Sequence, residues 1–127
     1  MKLTKNFNKE EFDSKDGVCM PNDVLNNIAE LAKNVQIIRD YVGVPLTINS
    51  GYRSPAHNKS VGGVANSYHV KGKASDLSSS KITSKKLYDA ILKLIADGKI
   101  YNGGVGIYNT FVHYDIGGKG RRWDYRK

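Results

Sequence analysis

Val24, Ile28, Leu31, Val35 and Ile38 recur at steps of three and four residues, an apolar stripe along one side of a helix. The pattern predicts a helix from Asn22 or Asp23, either of which can cap it, to about Val42, where Gly43 stops it. A second stripe, Leu87, Ile91, Leu94 and Ile95, predicts a helix that Thr83 or Ser84 starts and Gly98 ends. Between and after these helices the pattern is that of strands. Val44 to Ser50 is β-rich and runs into Gly51-Tyr52-Arg53-Ser54-Pro55, where proline turns the chain. Ala74 to Leu77 reads as a short strand. Val105 to Tyr108 and Phe111 to Ile116, joined at Asn109-Thr110, read as a β-hairpin. The order helix, strand, loop, strand, helix, hairpin implies an α+β fold: a small antiparallel sheet with flanking helices, in one domain over residues 1–127.

Side chains on a strand alternate, so Phe111, His113 and Asp115 share one face and Val112, Tyr114 and Ile116 the other. Apolar residues on both faces make this a central strand. Ala74 and Asp76 likewise share a face. An acid embedded in an apolar strand is costly unless it is paired or binds metal. The stretch from Ser54 to Lys73 carries Pro55, Gly62, Gly63 and Gly72 and little apolar periodicity, so it reads as a long ordered loop with one helical turn. Loops of that length inside a domain are usually functional or disordered, and with His69 at its far end this one reads as functional.

Composition narrows this further. A chain of 127 residues can bury one core but not two. Its single cysteine, Cys19, excludes an internal disulfide and reads as a half-buried small side chain before the first helix. No run is long and apolar enough to span a membrane, and Met1 to Phe12 lack the apolar core of a secretory signal. The chain is therefore expected to be made in the cytoplasm, or to be a mature fragment. A net charge of +8 favours an anionic partner such as nucleic acid, acidic lipid or a peptidoglycan and teichoic-acid surface. Nucleic acid is set aside because no recognition motif accompanies the charge. The tail concentrates the excess, with Lys119, Arg121, Arg122, Arg126 and Lys127 against Asp124 alone, and reads as a solvated basic end.

Of three histidines, two join an aspartate in a suggestive constellation: His69, Asp76 seven positions on, and His113 on the later strand. Two imidazoles and one carboxylate are the protein ligands of a catalytic zinc whose fourth position stays open to water. Gly72 lets the turn between His69 and Asp76 adopt positive φ. No HExxH helix is present. The bland alternatives are a core histidine bonded to backbone for His113 and a surface loop histidine for His69.

Several segments together resemble a known family. They are Ser50-Gly51-Tyr52-Arg53-Ser54-Pro55-Ala56-His57-Asn58, Val61-Gly62-Gly63, Asn66-Ser67-Tyr68-His69, Gly72-Lys73-Ala74-Ser75-Asp76-Leu77, Gly104-Val105-Gly106-Ile107-Tyr108 and Phe111-Val112-His113-Tyr114-Asp115. From about Asn6 to Asp115 the chain resembles the zinc D-alanyl-D-alanine carboxypeptidases, a family that includes phage endolysin peptidases and bacterial murein endopeptidases and shares its fold with the hedgehog signalling domain.

The resemblance implies a hedgehog/DD-peptidase-like fold, Zn2+ held by His69, Asp76 and His113, and hydrolysis of a peptide bond in the stem or cross-link of peptidoglycan. It implies that Arg53 holds substrate or stabilises the oxyanion. Some members carry an acidic base three residues before the last histidine; here that position is Thr110, which leaves Asp115 as the available catalytic carboxylate. His57 is expected to brace the loop. The chain is further expected to be a monomer acting on the cell wall, in phage lysis, on a virion or in a bacterium. The rival expectation, favoured by Thr110, is a non-catalytic, zinc-stabilised module that binds peptidoglycan or a protein.

Overall fold

Two helices cover one face of a five-stranded sheet and leave the other face to polar side chains. The computed structural model describes residues 1–127. After a short 3-10 turn, Lys9–Phe12, come α1 (Asn22–Val42), β1 (Thr47–Ser50), α2 (Pro55–Ser60), β2 (Ala74–Ser78), α3 (Ser84–Ala96), β3 (Gly104–Ile107), β4 (Val112–Asp115) and β5 (Arg121–Asp124). The strands lie in the order β1-β2-β4-β3-β5, antiparallel except for the parallel pair β3 and β5. The class is α+β as expected, with β4 central.

Each helix forms where its stripe predicts. Val24, Ile28, Leu31, Val35 and Ile38 of α1 and Leu87, Ile91 and Leu94 of α3 are buried in one core with Leu77, Val105, Val112 and Tyr114 of the sheet. Gly43 ends α1 in the left-handed region at φ 71°, donating to the Arg39 carbonyl. At the start of α1 the cap position is Pro21, which offers no side-chain bond, so neither Asn22 nor Asp23 caps it. Thr83 caps α3 by accepting from the Lys86 amide. β1 begins only at Thr47, because Pro45 has no N–H to give to a ladder.

Two expectations need correction. Cys19 is exposed, not half-buried. The basic tail is not a free solvated end: Arg121 to Asp124 pair with Gly104 to Ile107 as β5. The polar N-terminus also contributes, burying Phe7 and Phe12 in the core.

Register places the chemistry. Ser50, Asp76, His113, Gly106 and Trp123 are successive cross-strand partners in one row over all five strands. Ala74, Asp115, Gly104 and Arg121 form the next row on the same face. The alternate rows, with Leu77 opposite Val112 and Val105 opposite Tyr114, face the helices.

Candidate metal centre

The structure brings His69, Asp76 and His113 together, with one ligand atom from each within 4.8 Å of the others. Asp76 and His113 meet because they are register partners on β2 and β4. His69 arrives from the turns that follow α2. His57 lies within α2, outside the cluster, where its amide donates to the Ser54 hydroxyl that caps the helix.

His69 is held by the Gly51-Tyr52-Arg53 segment. Its Nδ1 lies 2.8 Å from the Gly51 carbonyl, and its own carbonyl accepts from the Arg53 amide at 3.0 Å. That segment is clamped in turn by the N-terminus: the Tyr52 amide donates to the Phe12 carbonyl at 2.8 Å. A β-carbon on Gly51 would sit 2.7 Å from the Phe12 Cα, so only glycine lets the two backbones approach.

The hydrogen bonds fix which ring nitrogens carry protons. A carbonyl only accepts, so Nδ1 of His69 carries the proton and Nε2 presents a lone pair, 3.5 Å from Asp76 Oδ1. Asp115 Oδ2 accepts from His113 Nε2 at 2.7 Å, which turns His113 Nδ1 toward Asp76 Oδ1 at 3.0 Å. Two nitrogens and a carboxylate oxygen thus converge at a buried point that calls for a cation. Tetrahedral donors about 2.1 Å from one zinc stand roughly 3.4 Å apart, close to this spacing. The residues fit the metal.

The acids are tuned accordingly. Burial raises the Asp76 carboxyl, but the facing His113 and His69 rings outweigh it and hold the group well below the usual carboxylate range. Burial lowers the His113 ring, yet the adjacent Asp115 and Asp76 carboxylates outweigh it and raise the ring above its ordinary value. For Asp115 burial again raises the carboxyl, while His113, Arg121 and the Gly104 amide bring it down to about 2.

Asp115, the carboxylate expected to serve catalysis, is fully buried, and both oxygens are engaged: Oδ2 by His113, Oδ1 by the amides of Gly104 and Gly117, each at 3.0 Å, and by Arg121. A base must reach the water it deprotonates. This carboxylate lies behind His113, on the ring nitrogen facing away from Asp76.

Arg53 stands beside the cluster, with Nη2 3.6 Å from Asp76 Oδ2, Nε donating to Ser50 Oγ at 3.2 Å and Nη1 to Asn58 Oδ1 at 3.4 Å. Its guanidinium borders a cleft of about 380 Å³ that also exposes Tyr68, Phe111, Arg121 and Trp123. Tyr108 stacks on Phe111 at 4.3 Å, and its hydroxyl accepts from Trp123 Nε1 at 3.0 Å. Sequence reasoning missed this aromatic wall. Its one signal was the chain's single tryptophan standing in a basic tail.

A protein-family model described as Peptidase M15 matches residues 2–115. No curated protein matches the chain.

Proposed function

The chain belongs to the peptidase M15 family, metallopeptidases that typically use zinc, and from that premise we propose that it hydrolyses a peptide bond in the stem or cross-link of peptidoglycan. The observation that carries the reading is the convergence of His69 Nε2, Asp76 Oδ1 and His113 Nδ1 beside an open cleft. These three residues hold the metal. Zinc, when bound, supplies a Lewis acid and lowers the pKa of a coordinated water toward about 7.

The protein does the rest by orientation. Gly51 and Asp115 lock the two imidazoles from behind, so each ring offers one nitrogen in one direction. Arg53, braced by Ser50 and Asn58, presents a planar guanidinium fork to the cleft. It grips a substrate carboxylate or the charge that develops on the scissile carbonyl oxygen. Tyr68, Phe111 and Trp123 exclude water and pack against the peptide. The +8 charge keeps a monomeric enzyme near the anionic wall, in a phage or a bacterial setting.

The rival reading, a zinc-stabilised module that binds peptidoglycan or a protein without cleaving, draws on one observation. Asp76 and Asp115 are the only carboxylates lining the cleft, and neither is free. One experiment separates the two: purified murein is incubated with zinc-loaded protein, with and without chelator, and new amino groups are counted. The peptidase releases amines that chelator abolishes. Sedimentation with murein and no amine release from several wall chemotypes would sink the peptidase reading.

A further inference from the structure

β5 lies beyond the residues that the family model matches, yet its two site-face side chains enter the centre. β3 stands between β5 and β4, and its two site-face positions are Gly104 and Gly106. Through these two gaps Arg121 reaches Asp115 and Trp123 reaches His113. A β-carbon on Gly104 would fall 2.6 Å from Arg121 Nη2 and 2.9 Å from its Cζ. One on Gly106 would fall 2.7 Å from Trp123 Cζ2. With both crossings open, the guanidinium pairs with Asp115 Oδ1 and the indole rests 5.0 Å from the His113 ring.

We infer that Arg121 is a positioning residue of the metal centre, acting over Gly104 through Asp115 on the Nε2 side of His113. Nε of Arg121 donates to the Gly118 carbonyl at 2.9 Å, which leaves Nη2 for the carboxylate. The guanidinium also sits between two rings, 4.9 Å from Tyr68 and 5.8 Å from Trp123. Tyr68 is seated against Gly117, whose amide bonds Asp115 Oδ1. The arginine is thus fixed from three sides, and Asp115 cannot swing away from the imidazole it holds. The alternating residues Arg121 and Trp123 brace the alternating residues Asp115 and His113. The C-terminal strand is on this account part of the site.

This inference rests on the metal-centre reading of His69, Asp76 and His113, and its test separates the two. Zinc affinity is measured by competition with a chromophoric chelator, alongside the visible absorption of the cobalt-substituted protein and the thermal midpoint. Arg121→Met is expected to weaken zinc binding about ten- to a hundredfold and to alter the cobalt bands. Arg121→Lys, which keeps the charge without the fork, is expected to recover much of that affinity. Arg126→Met removes an exposed ion pair with Asp124 on the same tail and is expected to leave affinity and spectrum unchanged.

If Arg121→Met binds zinc within twofold of wild type with the same cobalt bands, while His113→Ala has lost binding, the inference is overturned and the metal centre stands. A lowered midpoint with unchanged affinity and spectrum overturns it equally, since Arg121 would then only pin the strand. Should Arg121→Met not fold, Arg121→Gln and Arg121→Lys decide by the same readouts. Failure of wild-type protein to take up zinc overturns both readings at the root.

Discussion

Asp115 holds the ring nitrogen of His113 that points away from Asp76, at 2.7 Å, although the two residues share one face of the same strand. Neighbours two apart on a strand lie side by side, so the carboxylate can grip the imidazole only from beside and behind. A carboxylate so placed backs the imidazole.

Asp115→Asn should weaken zinc binding about ten- to a hundredfold, because an amide accepts less strongly than a carboxylate and cannot neutralise Arg121. Turnover should fall with the metal and be largely restored by excess zinc. Chelator competition checks the first half and assays over a zinc series the second. Full zinc affinity with abolished turnover would return Asp115 to the role of base.

Arg53→Met should raise KM for a murein peptide about ten- to a hundredfold, as expected when a charge-assisted hydrogen bond worth about 1.5–3 kcal/mol is lost. Zinc content should stay near that of wild type, since Arg53 approaches Asp76 at Oδ2 while Oδ1 faces the histidines. Steady-state kinetics with metal analysis tests this. Zinc loss in step with activity would make Arg53 a support of the metal instead.

Gly106→Ala places a methyl where the Trp123 indole lies, and should cost about 1–3 kcal/mol as that ring is forced outward. Trp123 is the chain's single tryptophan and sits 5.0 Å from His113, so its emission reports the site directly. Cobalt should quench wild-type emission strongly and the variant weakly. Equal quenching in both would mean that the indole had kept its place.

Asp16 ties the N-terminal segment to the start of α2, accepting from Ser54 Oγ at 2.5 Å and Ser14 Oγ at 2.7 Å. These hydrogen bonds, from Ser54 first, lower its pKa to about 2. A carboxylate whose pKa is depressed on folding adds stability above its unfolded value and loses it as pH falls through the folded value. Asp16→Ala should therefore melt below wild type at pH 5, with the gap closing toward pH 2. An undiminished gap at pH 2 would show that the charge of Asp16 plays no part.

The two long helices, four of the five strands and the trio His69, Asp76 and His113 could all be read along the chain, whereas α2 was legible only as one turn in a loop. Stripes such as Val24-Ile28-Leu31 and the alternation of Phe111 to Ile116 are local, and burying one face is what makes each element stable. His69, Asp76 and His113 stood out because two imidazoles and one carboxylate are the protein ligands a catalytic zinc takes. What lay outside the sequence was pairing across distance. Arg121 to Asp124 show no apolar alternation of their own, and become a strand only because the open edge of β3 accepts them. Which nitrogen each histidine presents depends on Gly51 and Asp115, groups whose positions are set by register and by the Phe12 clamp. Composition supplied the ligands; the aim of each ring came from backbone contacts between segments far apart in the chain.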